Sequence, residues 1–149
     1  MTHVDRQAAI AGHIQTDRFA AFLGAEIEAI EPGYSRVSLT VSEDMENFHG
    51  MTHGGVIFSL GDIAFAAASN SHGQTAVALN INISFLKATK AGDHLIAEAR
   101  EQHLGGRTAL CEITVTERET GQLVAKSQAM VYRKRAWFVA EEAEKDDPS

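Results

Sequence analysis

The sequence predicts an α+β domain in which an antiparallel six-stranded sheet wraps around one long central helix. Three observations predict it. Six segments have the length and alternation of strands, and one alanine-rich run, from about Gly54 to Asn70, has the length of a helix. The helix falls between the second and third strands in chain order. One helix cannot cover both faces of a flat sheet, so the economical arrangement is a sheet curled around it. The 149 residues are sized for one domain, spanning 1–149, with its core at about 17–134.

The elements follow in order. Val4 to His13 reads as a short helix and Asp17 to Leu23 as a second, with Asp17 as N-cap and Gly24 as the stop. Ala25 to Glu31 is a strand, and Pro32-Gly33 a turn. In Tyr34 to Ser42, Val37, Leu39 and Val41 alternate with Arg36, Ser38 and Thr40, which makes a half-buried strand and closes a hairpin. A polar loop runs from Glu43 to Thr52, and the long helix ends at Ser71-His72-Gly73. Four strands, Ala76 to Leu86, His94 to Leu104, Arg107 to Arg118 and Leu123 to Arg133, are expected to form a meander. Trp137 to Ser149 is acidic and reads as a flexible tail.

Composition excludes several function classes. The net charge of -7 and pI near 5.4 disfavour a nucleic-acid partner. The most apolar stretch, Val56 to Ala68, contains Asp62 and is too short to span a bilayer. No basic segment followed by an apolar run opens the chain, and the one cysteine, Cys111, cannot form an intrachain disulfide. A cytoplasmic setting is expected.

The chemistry concentrates on the long helix. Val56, Ile57, Phe58, Leu60, Ile63, Phe65 and the alanines around them leave almost no polar side, and a helix apolar all round is expected to be buried all round. Asp62 is the only charged residue between Val56 and Asn70, and no Lys or Arg lies three or four positions away. A buried, unpaired carboxylate raises its pKa or finds a specific partner, and such groups concentrate at functional sites. The alternative is a narrow solvent-facing stripe shared with Ser59 and Ser69.

His53-Gly54-Gly55 precedes the helix. Glycines there bare backbone N–H groups that have no intrahelical acceptor and sit at the positive end of the helix dipole. Such donors can form an oxyanion hole. Gly54 and Asp62 are eight residues apart, on the order of 12 Å along a helix. One carbonyl cannot touch both on the same helix. If both act on one substrate, Asp62 comes from a neighbouring subunit, which implies a symmetric dimer with two shared sites.

The segment Asn47-Phe48-His49-Gly50-Met51-Thr52-His53-Gly54-Gly55-Val56-Ile57-Phe58-Ser59-Leu60-Gly61-Asp62 resembles the hotdog-fold acyl-CoA thioesterases, nearest to the PaaI-like branch of phenylacetic acid degradation. Ile83-Ser84-Phe85-Leu86-Lys87 and Ala91-Gly92-Asp93 extend the likeness. The resemblance implies a hotdog fold that hydrolyses an acyl-CoA, with phenylacetyl or hydroxyphenylacetyl groups expected and medium-chain fatty acyl groups as the alternative. It implies Gly54 as the oxyanion donor, His53 as the buttress of its loop, and Asn47 near the thioester or its water. Asp62 would be general base or nucleophile. Gly55 would touch substrate, and Lys87, with Lys90, Arg107 and Arg133 as weaker candidates, would hold the coenzyme A phosphates. No cofactor or metal is implied, and homodimers paired into homotetramers are.

Rival readings remain. His49 and His53 share an i, i+4 spacing, but Gly50, Gly54 and Gly55 break the helix a zinc motif needs. His72, His94 and His103 are expected to face solvent. Asn80 and Asn82, on the same strand face as Ser84, order a water or pair with the helix. Cys111 reads as core. A non-catalytic acyl-CoA sensor on the same fold would bind without turnover. A hydratase would use a different His and acid motif.

Overall fold

The computed structural model describes residues 1–141. Helix α1 (His3–Ile14) starts at Thr2, whose hydroxyl accepts from the Asp5 N–H while the Asp5 carboxylate accepts from the Thr2 N–H. Helix α2 (Arg18–Leu23) starts at Asp17, which accepts from the Ala20 N–H at 3.0 Å, and stops at Gly24 with φ +81°. Strands β1 (Glu26–Glu31) and β2 (Tyr34–Thr40) form the expected hairpin. Helix α3 (Gly54–Ser69) follows, then β3 (Gln74–Phe85), β4 (His94–Leu104), β5 (Thr108–Glu117) and β6 (Leu123–Trp137).

The six strands form one antiparallel sheet in the order β1-β2-β4-β5-β6-β3. The expected meander therefore holds for β4, β5 and β6 only. β3 lies at the far edge, pairing with β6 rather than with β4. The reason is the long crossover. α3 touches all six strands as it lies across the concave face, so the chain leaves it beside the last strand. Residues 86–93 then return along the strand ends to start β4 beside β2.

The core lies between α3 and the inner sheet face. Ile57, Leu60, Ile63, Ala64 and Phe65 pack against Val37, Leu39, Leu95, Ala97, Ile113, Val115 and Val131. Each large side chain so buried contributes roughly 1.5–3 kcal/mol. A Cβ at Gly61 would stand 3.4 Å from Ile113, so glycine and alanine let the helix sit close.

Two expectations need correction. α3 is not buried all round. Gly55, Phe58 and Ala66 are exposed and Asp62 is half-buried, all on one stripe facing away from the sheet. Nor does the flexible tail start at Trp137. β6 continues to Trp137, which pairs with Gln74, and the Phe138 N–H donates to the Gly73 carbonyl at 3.0 Å. The remainder of the expected tail, 142–149, lies outside the described residues. Among the described residues no helix is long and apolar enough to cross a membrane.

Candidate active site

The loop before α3 is knotted by its own polar groups. Asn47 Oδ1 accepts from the His49 and Met51 N–H groups at 2.9 and 3.2 Å, and the Asn47 N–H donates to the Met51 carbonyl. With Oδ1 so fixed, the amide Nδ2 is the outward donor of this side chain. The His53 N–H donates to the Met45 carbonyl at 2.8 Å, and the Thr52 N–H to the Thr89 carbonyl at the same distance. Buried Thr52 and Thr89 also share a hydroxyl hydrogen bond of 2.7 Å.

His53 is the N-cap of α3. Its Nδ1 accepts from the Gly55 N–H at 3.0 Å, so the ring proton of the neutral imidazole sits on Nε2. The Val56 and Ile57 N–H groups donate to the His53 carbonyl. Three of the four first-turn donors are thereby used. Of the four, only the Gly54 N–H has no acceptor among the described residues.

Around it lies a cavity of about 350 Å³ lined by Asn47, Met51, Gly54, Phe85 and Lys87, among others. A Cβ on Gly54 would come within 3.3 Å of the Phe85 ring, which is why a residue without a side chain stands there. The cavity joins Asn47, Gly54 and Lys87, three of the expected site residues. Gly55 is exposed, but its N–H is taken by His53.

Asp62 lies two turns further along α3, on the outward stripe with Phe58 and Ala66. Among the described residues no donor hydrogen-bonds its carboxylate. Burial, and secondarily the negative charge of Asp17, push its pKa above the ordinary aspartate value. The helix is regular from Gly54 to Ser69, so the axial separation of Gly54 and Asp62 is on the order of 12 Å. The two groups of one subunit cannot share a carbonyl.

The basic residues divide between two ends of the sheet. Lys87 Nζ donates to Glu117 at 2.8 Å and also to Gln122. Lys87 and exposed Lys90 both line an adjoining cavity of about 340 Å³. Arg107 is exposed in the β4–β5 turn, and its carbonyl accepts from the Arg133 N–H at 2.7 Å. Both arginines lie at the opposite end of the sheet from Gly54, so within one subunit they do not join Lys87 and Lys90.

The other polar groups are now placed. Asn80, Asn82 and Ser84 are exposed, and their face is the outer one. There Asn82 and Ser84 line a cavity with Lys126 and Gln128, so within one subunit they do not pair with the helix. The expected pairing failed because alternation identifies a shared face without saying which side it takes. His72 is half-buried, not solvent-facing, and its Nε2 lies 2.9 Å from Glu101 Oε2. His94 and His103 are exposed. Cys111 is core, and burial pushes its thiol up to about 11. Sequence reading missed the Thr52–Thr89 pair and the Phe85 contact. Both join segments more than thirty residues apart, which no local pattern signals.

The family model described as "Thioesterase superfamily" matches residues 49–124. The acyl-coenzyme A thioesterase PaaI of Escherichia coli K12 is 40% identical over 119 residues, covering 80% of this chain and 84% of that protein. The structure of E. coli PaaI, from the phenylacetic acid degradation operon, superposes with a TM-score of 0.85, covering 89% of this chain and 96% of that one. The 1,4-dihydroxy-2-naphthoyl-CoA hydrolase of Listeria monocytogenes is 33% identical over 116 residues, covering 76% of this chain and 93% of that protein. A thioesterase structure with coenzyme A from Streptococcus pneumoniae, 30% identical, superposes with a TM-score of 0.70 over 74% of this chain and 88% of that one. The chain belongs to the thioesterase superfamily, has its hotdog fold, and within it is of the PaaI-like acyl-CoA thioesterase type.

Proposed function

We propose that the protein hydrolyses an aryl acyl-CoA, phenylacetyl-CoA or hydroxyphenylacetyl-CoA, at two sites shared across a two-fold dimer. The observation that carries this reading is the presence on one helix of an N-terminal donor and a carboxylate that both lack hydrogen-bond partners among the described residues and lie out of each other's reach. The Gly54 N–H would donate to the thioester oxygen as negative charge develops on it. Asp62 of the partner subunit would take a proton from water, whose oxygen attacks the carbonyl carbon. The C–S bond then breaks, and the coenzyme A thiolate leaves and is protonated. In the nucleophilic variant the Asp62 oxygen attacks first, and water opens the resulting anhydride. The Asn47 Nδ2 would hold the water or the thioester.

Several features support the dimer. β3 is an edge strand that exposes Val77, Leu79 and Phe85. The outward stripe of α3 adds Phe58 and Ala66 beside the half-buried Asp62. Unpaired strand edges and contiguous apolar faces mark association surfaces. An outer patch of Val77, Met130 and Tyr132 supports pairing of dimers into tetramers. For the substrate, two relatives carry names tied to aromatic acids, and Phe58 and Phe85 flank the reacting groups.

The test mixes two inactive variants. Gly54 is the first helical residue, where proline is tolerated, and the extended ψ of 133° at His53 suits a residue before proline. Gly54→Pro therefore deletes the N–H with the helix kept, but it also presses ring carbons on Phe85, so Gly54→Ala, which adds a Cβ there and keeps the N–H, is the control. Mixed dimers of Gly54→Pro with Asp62→Asn should recover up to about a quarter of wild-type turnover under random exchange, since one of the two sites in each heterodimer is intact. No recovery at any ratio rules out the shared site. Thiol release across aryl and alkyl acyl-CoA compounds reads the substrate class. A higher kcat/KM for fatty acyl chains favours the medium-chain reading, and binding without thiol release favours a sensor.

A further inference from the structure

A further cavity, of about 410 Å³, lies at the corner of α1 and β6, at the far end of α3 from Gly54. Its lining includes Arg6, Gln7, His72, Arg133, Trp137 and Glu141. Arg6 is only 8% exposed. Its Nε donates to the Ala140 carbonyl at 2.9 Å and its Nη2 to the His72 carbonyl at 2.8 Å, and its guanidinium stands 5.8 Å from the centre of the Trp137 ring. Half-buried Arg133 donates to Gln74 Oε1 at 2.7 Å and to the Gly105 carbonyl at 3.4 Å.

Both guanidinium groups are thus held by neutral oxygens. Among the described residues neither has a carboxylate partner. Glu141 is exposed and pairs with neither, and His72 is already paired with Glu101. Removing a cation from water is costly unless an anion compensates. Two such cations on one cavity, in a chain of net charge -7, are the arrangement that phosphate recognition uses, with Arg133 and Arg6 each retaining unused N–H donors.

We propose that this cavity binds a phosphate monoester. Its carrier is either the ribose phosphate of coenzyme A, which rests on the acyl-CoA reading above, or free phosphate, which does not.

Trp137 is the single tryptophan and lines the cavity, so its fluorescence reports occupancy without turnover. Wild-type protein is titrated with inorganic phosphate, with coenzyme A and with coenzyme A lacking its 3′-phosphate, against chloride at matched ionic strength. Saturable change with phosphate or coenzyme A is expected, with affinity falling about tenfold in Arg133→Gln. Arg6→Gln should behave alike, and circular dichroism checks that α1 stays docked. A drop on removing the 3′-phosphate assigns the site to the thioester carrier. Equal response to inorganic phosphate assigns it to free phosphate. No Trp137 response, the same response to chloride, or unchanged affinity in Arg133→Gln overturns the proposal, even if thioester hydrolysis is intact.

Discussion

The two functional regions of α3 differ in how complete they are within one subunit. At its start, Asn47, Thr52, His53 and Thr89 tie the loop so that, of the first-turn donors, the Gly54 N–H is left without an acceptor among the described residues. In its middle, Asp62 sits on an outward stripe beside Phe58 and Ala66, half out of water and with no hydrogen-bond donor among the described residues. The first region is finished by local hydrogen bonds. The second bears part of the desolvation cost of a carboxylate. The difference teaches that, if both regions serve one reaction, the spacing along the helix requires each to act with a second copy.

The sharpest way to break this comparison is at Asp62. Asp62→Asn should lower kcat by about 10²–10⁴-fold with the fold retained, as steady-state thiol release would measure. Turnover near wild type would remove Asp62 from the mechanism. At the other region, Gly54→Pro should lower kcat by about 10²–10³-fold, the usual cost of one oxyanion donor. A loss confined to KM would show that the N–H only binds substrate.

A smaller effect tests the knot itself. Thr89→Val removes the buried hydroxyl bond to Thr52, so stability should drop by about 1 kcal/mol and kcat by about tenfold, with KM little changed. Thr89→Ser should restore both. Equal losses in Thr89→Ser would show that packing, not the hydroxyl, matters.

The smallest effect concerns stability and pH. The folded pKa of Asp62 lies above its unfolded value. The protonated form is therefore favoured by folding. The stability it confers is present below the unfolded pKa and lost as pH rises through the folded one. Asp62→Asn should accordingly raise Tm at neutral pH, and the gain should shrink as pH falls into the acidic range. A gain independent of pH would mean that burial of the charge is not its cause.

Much of this was legible in the residues. Gly24, the Pro32-Gly33 turn and the alternation of Val37, Leu39 and Val41 placed elements to within a few residues, because turns and hydrophobic period are local properties. Asp62 and Gly54 stood out for the same reason: a lone acid in an apolar run and glycines at a helix start are visible without a fold. The place of β3 beside β6 was not legible, since a long crossover fixes direction but not neighbour. Nor was the outward turn of Asn80 and Asn82, because alternation does not say which face is inner.

The sequence by itself determined a sheet around one helix, an isolated carboxylate and a bare N-terminal donor, all set by short-range pattern and chain geometry. Only the tertiary structure decided that the carboxylate faces away from its own core, that among the described residues the Gly54 N–H is the first-turn donor left without an acceptor, and that Arg6 and Arg133 meet across one cavity. Each of those depends on segments far apart in the chain, and such pairings are fixed by packing and desolvation, not by neighbouring residues.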